Sequence, residues 1–210
     1  MREILVTAFE AFGGEELNPT ERILGMLPDA VCGYAIRKLL LPVEFKRSCE
    51  LALAEYDRLS PAAVLMLGQA GGRSAITAET TARNVMNASI PDNAGYKPEN
   101  LPVTENGQDV LYASYSAWDI KKAIDALGIP CELSESAGQY VCNTLFYSML
   151  CHNKGAVPTG FIHVPYIREQ GHEDKPFMEL DEIRRGILAA IEAVVETATN
   201  PPATAWPSPL

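Results

Sequence analysis

Short stretches of the chain are apolar at nearly every position, which is the pattern of strands covered on both faces of a sheet. They are Glu3–Ala8, Ala62–Leu67 and Gly160–Tyr166. Two further strands are predicted, over Tyr34–Val43 and Ile129–Leu133. Runs of this kind indicate a sheet in the interior of the protein.

Apolar residues at helical spacing lie between these strands. Asn18, Pro19 and Glu21 are typical of a helix start, because Asn caps the first turn and Pro fits its first position. Further helices are predicted over Phe45–Leu59, Ser116–Leu127 and Met178–Thr197, and one that begins near Gln139. Strands that alternate with helices predict a single α/β domain over residues 1–198.

The segments that connect these strands and helices also have patterns that predict their structure. The glycine-rich turn Gly68–Arg73 would let the backbone approach a ligand closely, and Ser74–Asn87 is predicted to form a strand pair at the sheet edge. Residues 90–107 are dense in Pro, Asn and Gly, which is typical of a long functional loop, a lid or an interface segment. The Pro-rich residues 199–210 are expected to be disordered.

Composition narrows the function. The chain has 210 residues, is 47% hydrophobic and carries a formal net charge of -10, which argues against nucleic acid or an anionic membrane as partner. A small or neutral ligand fits better. The sequence shows neither an apolar signal segment nor an apolar run of membrane-spanning length, so a cytoplasmic protein is expected.

Cys142 is the cysteine with a chemical context. The five cysteines form an odd set without C-x-x-C spacing, so neither a disulfide framework nor a zinc site is indicated. Cys142 lies in the first turn of the helix predicted from Gln139, where backbone N–H groups and the helix dipole favour a thiolate. The alternative is a small buried apolar cysteine.

One of the three histidines interrupts an apolar strand. His163 precedes Val-Pro in that strand, where a polar ring needs a partner, whereas His152 lies near a helix end and His172 in a polar loop that predicts solvation. Cys142 and His163 are expected at the same edge of the sheet. With Glu79 to orient the ring they would form a nucleophilic cysteine site, although a structural histidine is the alternative.

Five motifs of the chain resemble those of the pyroglutamyl peptidase I family and occur in the same order as in that family. The resemblance extends from residue 2 to about residue 195. The motifs are Thr7–Gly14 with Asn18-Pro19, Gly68–Ser74 with Glu79 and Asn84, Ile90–Gly95, Ser136–Asn143 and Gly160–Tyr166. The resemblance implies a three-layer α/β/α sandwich around a twisted, mostly parallel mixed sheet. It also implies a homotetrameric cysteine peptidase, without metal or other cofactor, that removes an N-terminal pyroglutamyl residue from peptides.

Carried over by position, the resemblance assigns site residues. It implies that the triad of this family falls on Glu79, Cys142 and His163, in agreement with the chemistry above. It implies that aromatic residues wall the lactam pocket and that further positions bind substrate: Phe9, Phe12 and Tyr140, then Asn18, Gln69, Ile90 and Val141. A flat lactam ring suits aromatic faces with a few fixed polar groups.

Two of the departures from the family pattern bear on catalysis. Ser89 stands where the family has an arginine placed to assist the scissile carbonyl, and Arg83 stands where the family usually has an aliphatic residue. Arg83 could take over from that arginine and stabilise the negative oxygen (the oxyanion) that forms at the scissile carbonyl. The alternative is that Arg83 makes a surface ion pair and the enzyme is slow. Arg83 and Ser89 are therefore the oxyanion candidates.

Two rival functions stand beside the peptidase. One is a catalytically weak relative that binds a lactam-capped or other small amide ligand in the same pocket. The other is a nucleoside-type transferase of similar architecture, against which stands the lack of a basic phosphate-binding loop in the sequence.

Overall fold

The computed structural model describes residues 2–199 and confirms the α/β class. The strands are β1 (Glu3–Phe9), β2 (Ala30–Val31), β3 (Tyr34–Leu41), β4 (Ala63–Gln69), β5 (Ile76–Glu79), β6 (Thr81–Arg83), β7 (Val110–Tyr112), β8 (Cys131–Ser134), β9 (Thr159–Val164), β10 (Tyr166–Ile167) and β11 (Phe177–Met178). The helices are α1 (Pro19–Met26), α2 (Phe45–Leu59), α3 (Ala117–Asp125), α4 (Val141–Asn153) and α5 (Leu180–Thr199), with a 3-10 turn at Arg168–Gln170.

Seven strands form the central sheet in the order β2-β3-β1-β4-β9-β5-β8. Strands β3, β1, β4 and β9 run parallel to one another, while β5 is antiparallel to β9 and parallel to β8. The sheet is therefore mixed and mostly parallel, as expected. Parallel strands place their carboxyl ends at one edge, which is where α/β proteins bind ligands.

The helices cover both faces of this sheet. Helices α2 and α4 pack on each other, and α5 packs against both α1 and α3. Every residue of β4 is buried, and β1 is buried from Ile4 onward, because side chains on both faces of these strands meet a helical layer. The described elements thus form three layers around one core.

Two details differ from the sequence-based expectations. The pair predicted at the sheet edge over residues 74–87 is wrong: β5 lies inside the sheet between β9 and β8, and β6 leaves it to pair with β7. Helix α5 continues to Thr199, two residues beyond the predicted end. Residues 200–210 of the predicted tail lie outside the described residues, and within residues 2–199 no helix is long and apolar enough to cross a membrane.

Candidate active site

A pocket of about 550 Å³ opens where the ends of β4 and β9 meet the start of α4. Its lining includes Cys142, His163, Arg73 and Gln69. Phe12, Ile90, Tyr140 and Ser89 also line it, together with Ala70, Asn87, Ala88, Ala137, Gly138 and Gln139. The pocket thus combines an apolar wall with a few polar groups, as small-molecule sites commonly do.

The start of α4 places the Cys142 sulfur at the pocket. The helix begins at Val141, so Cys142 lies in its first turn as predicted. Tyr140, the residue before the helix, offers no side-chain cap to the first backbone N–H groups. These N–H groups have no partner further back along the helix, so they leave a positive end beside the sulfur.

Gly68 makes room for the sulfur on the sheet side. An ideal Cβ atom built on Gly68 would lie 2.9 Å from Cys142 Sγ and 2.7 Å from the ring of Phe161. Any larger residue in this position of β4 would have to displace the sulfur or the ring. The glycine expected to admit a ligand therefore admits the sulfur of Cys142.

His163 and Glu79 are joined by a buried hydrogen bond. His163 Nδ1 lies 2.7 Å from Glu79 Oε1, and the Glu79 side chain is fully buried. In the antiparallel β5–β9 pair, Thr77 faces His163 and Glu79 faces Phe161. His163 and Glu79 are consequently diagonal neighbours on one face of the sheet, a separation that long side chains can bridge.

Arg73 reaches the same carboxylate oxygen. Its Nη1 lies 2.7 Å from Glu79 Oε1, and its Nη2 donates to the carbonyl of Ser136 at 3.3 Å. The Arg73 side chain is 32% exposed and is the one cationic side chain among the described residues that line the pocket. The sequence reasoning missed this residue, although it is the last residue of the predicted glycine-rich turn.

Tyr115 is a second residue that the sequence reasoning missed. Its buried hydroxyl lies 3.0 Å from the carbonyl oxygen of Glu79 and 2.9 Å from that of Phe161. A Cβ atom on Gly160 would overlap the Tyr115 ring, at 1.1 Å. Tyr115 therefore ties β5 to β9 at the level of the Glu79–His163 pair.

The local charges and burial decide the protonation states. Burial alone would raise the pKa of Glu79, but the hydrogen bond from His163 and the charge of Arg73 outweigh it, so this pKa lies below its usual range. Burial lowers the pKa of His163 by more than the hydrogen bond to Glu79 raises it. Glu79 is thus ionised and His163 neutral near pH 7.

The expectation that Cys142 is acidic is not met. Burial raises the pKa of the Cys142 thiol to about 12, and the charge of Glu79 adds to the rise. Hydrogen bonding to the backbone N–H of Cys142 and the charge of Arg73 lower this pKa, but by less. Desolvation of the sulfur outweighs the effect of the helix start, so the resting thiol is protonated.

Four of the residues implied as substrate-binding do line the pocket. The Phe12 and Tyr140 rings lie 6.1 Å apart between centroids, and Phe45 supports Tyr140 from behind in an edge-to-face contact at 5.2 Å. Ile90 and Gln69 complete this wall. These side chains form a flat apolar surface next to the polar side-chain amide of Gln69.

The other three do not line it. Phe9 and Val141 belong to the hydrophobic core. Asn18 is buried with both ends of its amide in use, because Oδ1 accepts from the Thr20 backbone N–H and hydroxyl, and Nδ2 donates to the Glu10 carbonyl. Asn18 therefore shapes the loop that carries Phe12, and it is not among the residues that line the pocket.

Only one of the two oxyanion candidates, Ser89, lies at the pocket. Ser89 lines the pocket, whereas the Arg83 side chain is exposed on β6 and is not among the lining residues. The backbone of Arg83 is held by the Asn143 amide, at 2.9 Å from its N–H and 2.9 Å from its carbonyl. Arg73, and not Arg83, is the arginine beside Cys142 and His163.

Hydrogen bonds hold the part of residues 90–107 that lies next to the pocket. Asp92 is 6% exposed, and its carboxylate accepts from the backbone N–H groups of Phe45, Ala94 and Tyr96. The Tyr140 hydroxyl donates to the Pro91 carbonyl at 3.0 Å. This part of the predicted lid is therefore a fixed wall of the pocket.

The remaining two histidines lie outside the pocket lining. His152 pairs with Asp57 at 2.7 Å near the end of α4. His172, expected to be solvated, instead lies 2.8 Å from Glu15 Oε1 and packs its ring 4.1 Å from that of Tyr166. Residues 2–199 contain no group of three or more His, Cys, Asp or Glu side chains arranged to hold a metal ion.

A thiol, a neutral imidazole and an ionised carboxylate at one sheet edge define a candidate enzyme with a cysteine nucleophile. A family profile described as Pyroglutamyl peptidase matches residues 2–197. Pyrrolidone-carboxylate peptidase 1 of Caldanaerobacter subterraneus subsp. tengcongensis is 41% identical over 199 residues, which cover 92% of this chain and 98% of that protein. Pyrrolidone-carboxylate peptidase of Thermococcus kodakarensis is also 41% identical, over 94% of this chain and 98% of its own.

Solved structures agree with the sequence relatives. Pyrrolidone carboxyl peptidase from Thermococcus litoralis superposes with a TM-score of 0.93 at 31% identity, over all of both chains. A mutant of the Pyrococcus furiosus pyrrolidone carboxyl peptidase gives 0.89 at 35% identity, over 92% of this chain and 98% of that one. The chain belongs to the pyroglutamyl peptidase family. This membership confirms the resemblance noted in the sequence and makes the protein a peptidase of the hydrolase class.

Proposed function

We propose that this protein removes an N-terminal pyroglutamyl residue from peptides, with Cys142 as nucleophile, His163 as base and then acid, and Glu79 as the group that orients His163. The observation that carries the proposal is the 2.7 Å hydrogen bond between buried Glu79 and His163, in the pocket that Cys142 also lines. Family membership supports the choice of substrate.

The hydrogen bond sets the form of the imidazole that does the chemistry. An ionised carboxylate can only accept, so Nδ1 of His163 carries the hydrogen and Nε2 is left as the base. Because both the thiol and the imidazole are neutral at rest, Nε2 takes the thiol proton as the sulfur attacks the carbonyl carbon that follows the lactam.

The same proton then leaves with the product. The tetrahedral intermediate collapses, the C–N bond breaks, and His163 gives the proton to the departing amine. The pyroglutamyl group remains on Cys142 as a thioester. A water molecule, deprotonated by His163, attacks this thioester and releases pyroglutamate and the free thiol.

The negative oxygen of the intermediate needs donors in the pocket. The uncapped backbone N–H groups at the start of α4, at Val141 and Cys142, lie beside the sulfur and serve this role. Ser89 is too short to replace the arginine of the family pattern directly. Arg73 adds positive charge to the same pocket and offsets part of that loss.

The rival proposal is a catalytically weak relative that binds lactam-capped or other small amides. Ser89 favours it, since loss of one donor to a developing oxyanion costs about a hundred- to a thousandfold in turnover. The intact Cys142, His163 and Glu79 set favours an enzyme. The two readings predict the same ligand and differ in whether the ligand is cleaved.

Trapping the acyl-enzyme tests the mechanism. The protein is mixed with excess pyroglutamyl chromogenic amide, quenched in acid within the first turnover and weighed by mass spectrometry. We expect a mass increase equal to one pyroglutamyl group, located on the peptide that contains Cys142. Product release without any such adduct, or an adduct on Cys49 or Cys151, would contradict the assignment.

We further propose a cytoplasmic homotetramer, as the family resemblance implies. Exposed apolar side chains such as Tyr112 and Trp118, at 73% and 55% exposure, provide surface for subunit contacts. Light scattering on the purified protein measures its mass, and a monomer at micromolar concentration would rule out the tetramer. Cell fractionation tests the location.

A further inference from the structure

Gln69 presents a side-chain amide to the pocket, and the two ends of that amide have opposite hydrogen-bonding roles. Gln69 ends β4, is 9% exposed and lines the pocket beside His163. Its nitrogen can only donate and its oxygen can only accept. Which end faces the ligand therefore decides which ligand group Gln69 can pair with.

The neighbouring Gln170 is oriented independently of Gln69. Gln170 Oε1 lies 3.1 Å from the backbone nitrogen of Ile167, which is a donor and requires an acceptor opposite it. Gln170 Nε2 points the other way, 3.2 Å from Glu15 Oε2 and 3.5 Å from the Leu17 carbonyl oxygen. Fixed donors and acceptors on both sides thus admit one orientation of the Gln170 amide.

This orientation dictates that of Gln69. Gln170 Nε2 lies 3.0 Å from Gln69 Oε1, so a donor faces Gln69 and its oxygen must turn toward Gln170. The Gln69 N–H groups are then left for the pocket. We infer that Gln170 is a positioning residue that holds the Gln69 amide with its N–H groups toward the ligand, where they donate to the ring carbonyl of the lactam.

Gln170 is held in place by its own surroundings. Glu15 is fixed on its other oxygen by His172, at 2.8 Å, and His172 packs on Tyr166. The Tyr166 ring in turn lies so close to Gly71 that a Cβ atom there would be 2.1 Å away. The segment around Gln170 is therefore packed onto the turn that follows Gln69.

The inference rests on the proposed function and makes it more specific. A lactam differs from a proline ring by one carbonyl oxygen, and an oriented N–H donor is what detects that oxygen. A substrate without it leaves the donor unpaired in a largely buried position, which favours the lactam. Gln170, although absent from the pocket lining, thereby contributes to selectivity through Gln69.

Steady-state kinetics on a pyroglutamyl chromogenic amide test the inference. The variants are Gln170→Met, Gln69→Met and the double variant, with Glu169→Met as a matched control, because Glu169 is an exposed residue of the same turn. A neutral hydrogen bond made equally in substrate and transition state changes KM by about threefold to tenfold and leaves kcat unchanged. We expect that change in both single variants and none in Glu169→Met.

The double variant and Gln170→Glu separate positioning from mere stability. Since Gln170 acts only through Gln69, the double variant should have the KM of Gln69→Met alone. Gln170→Glu keeps the acceptor for Ile167 but loses the donor, so Gln69 should turn its oxygen to the pocket and KM should again rise. Thermal unfolding of each variant shows whether the fold is retained.

The outcomes are distinct. An unmutated chain that does not cleave the amide overturns the proposed function, and this inference with it. An active chain in which Gln170→Met and Gln170→Glu leave KM unchanged overturns the inference alone. The inference alone is also overturned if Gln170→Met raises KM by the same factor in the unmutated chain and in the Gln69→Met variant.

Discussion

Replacing Gly68 by alanine is the smallest change that should reach the nucleophile. The added Cβ would lie 2.9 Å from Cys142 Sγ and 2.7 Å from the Phe161 ring. Ordinary contacts between such atoms are about 3.5 to 4.0 Å, so relief of this overlap requires a shift of roughly 1 Å. Gly68 lies in a fully buried strand between parallel neighbours, so its own backbone has little freedom to move.

The shift has two measurable consequences. Overpacking a core site costs about 1 to 3 kcal/mol of unfolding free energy, and a nucleophile displaced by about 1 Å can lose roughly a hundredfold in rate. We expect Gly68→Ala to fold, to unfold at a moderately lower temperature and to lose about two orders of magnitude in kcat. KM should change much less, because Gly68 is not among the residues that line the pocket.

Gly25→Ala is the matched control. Gly25 lies in α1 with open space around it, so the same added methyl group should leave kcat unchanged and should slightly stabilise the helix. The assay is steady-state turnover of a pyroglutamyl amide, with thermal unfolding of each variant measured in parallel. Full kcat in folded Gly68→Ala would refute the argument that Gly68 keeps the sulfur in place.

Four further predictions concern the chemical groups. Glu79→Gln should lose about 10⁴-fold in kcat, because the amide oxygen of the new glutamine can still orient the His163 ring. His163→Ala removes the base and should lose about 10⁶-fold, so equal losses in the two variants would contradict these roles. Arg73→Met removes a charge that lowers the pKa of His163, so that pKa should rise and the acid limb of the kcat/KM profile should move to higher pH; an unmoved limb would exclude the role. Ser89→Arg should raise kcat by up to about a hundredfold with little change in KM, and a neutral result would indicate that backbone N–H groups suffice. Alkylation of Cys142 by iodoacetamide should accelerate from pH 6 to pH 9, because its pKa is raised; a pH-independent rate would instead indicate a thiolate.

The sheet edge that holds the candidate site was predictable from local pattern. Apolar runs mark β4 and β9. The turn after β4 ends at Arg73, and Cys142 lies in the first turn of α4, which precedes β9. Cys142 and His163 were expected together at the carboxyl ends of parallel strands, but β8, the strand before Cys142, runs opposite to β9. The two residues therefore meet through the loop over residues 135–140, which leads from β8 to α4. The pattern predicts the strands and helices, whereas the direction of β5 and β8 within the sheet is not contained in it.

The contacts that complete the site depend on pairing between distant segments. Whether Glu79 meets His163 depends on the antiparallel register of β5 and β9, which the pattern of either strand alone leaves open. Arg73 was missed because its role depends on which way the preceding turn folds. The resemblance assigned Asn18 to substrate, whereas in the structure Asn18 caps α1, as its place before Pro19 predicted. Its second bond, to the Glu10 carbonyl, depends on how the preceding loop folds.

The most direct test of the proposed function is hydrolysis of a pyroglutamyl chromogenic amide by the purified chain, compared with the prolyl analogue and with Cys142→Ala. We predict that the unmutated chain cleaves the pyroglutamyl amide, cleaves the prolyl amide far more slowly, and loses all turnover in Cys142→Ala. Binding of the pyroglutamyl amide without cleavage would favour the rival reading of a weak relative. Equal cleavage of both amides, or turnover that survives in Cys142→Ala, would contradict the account.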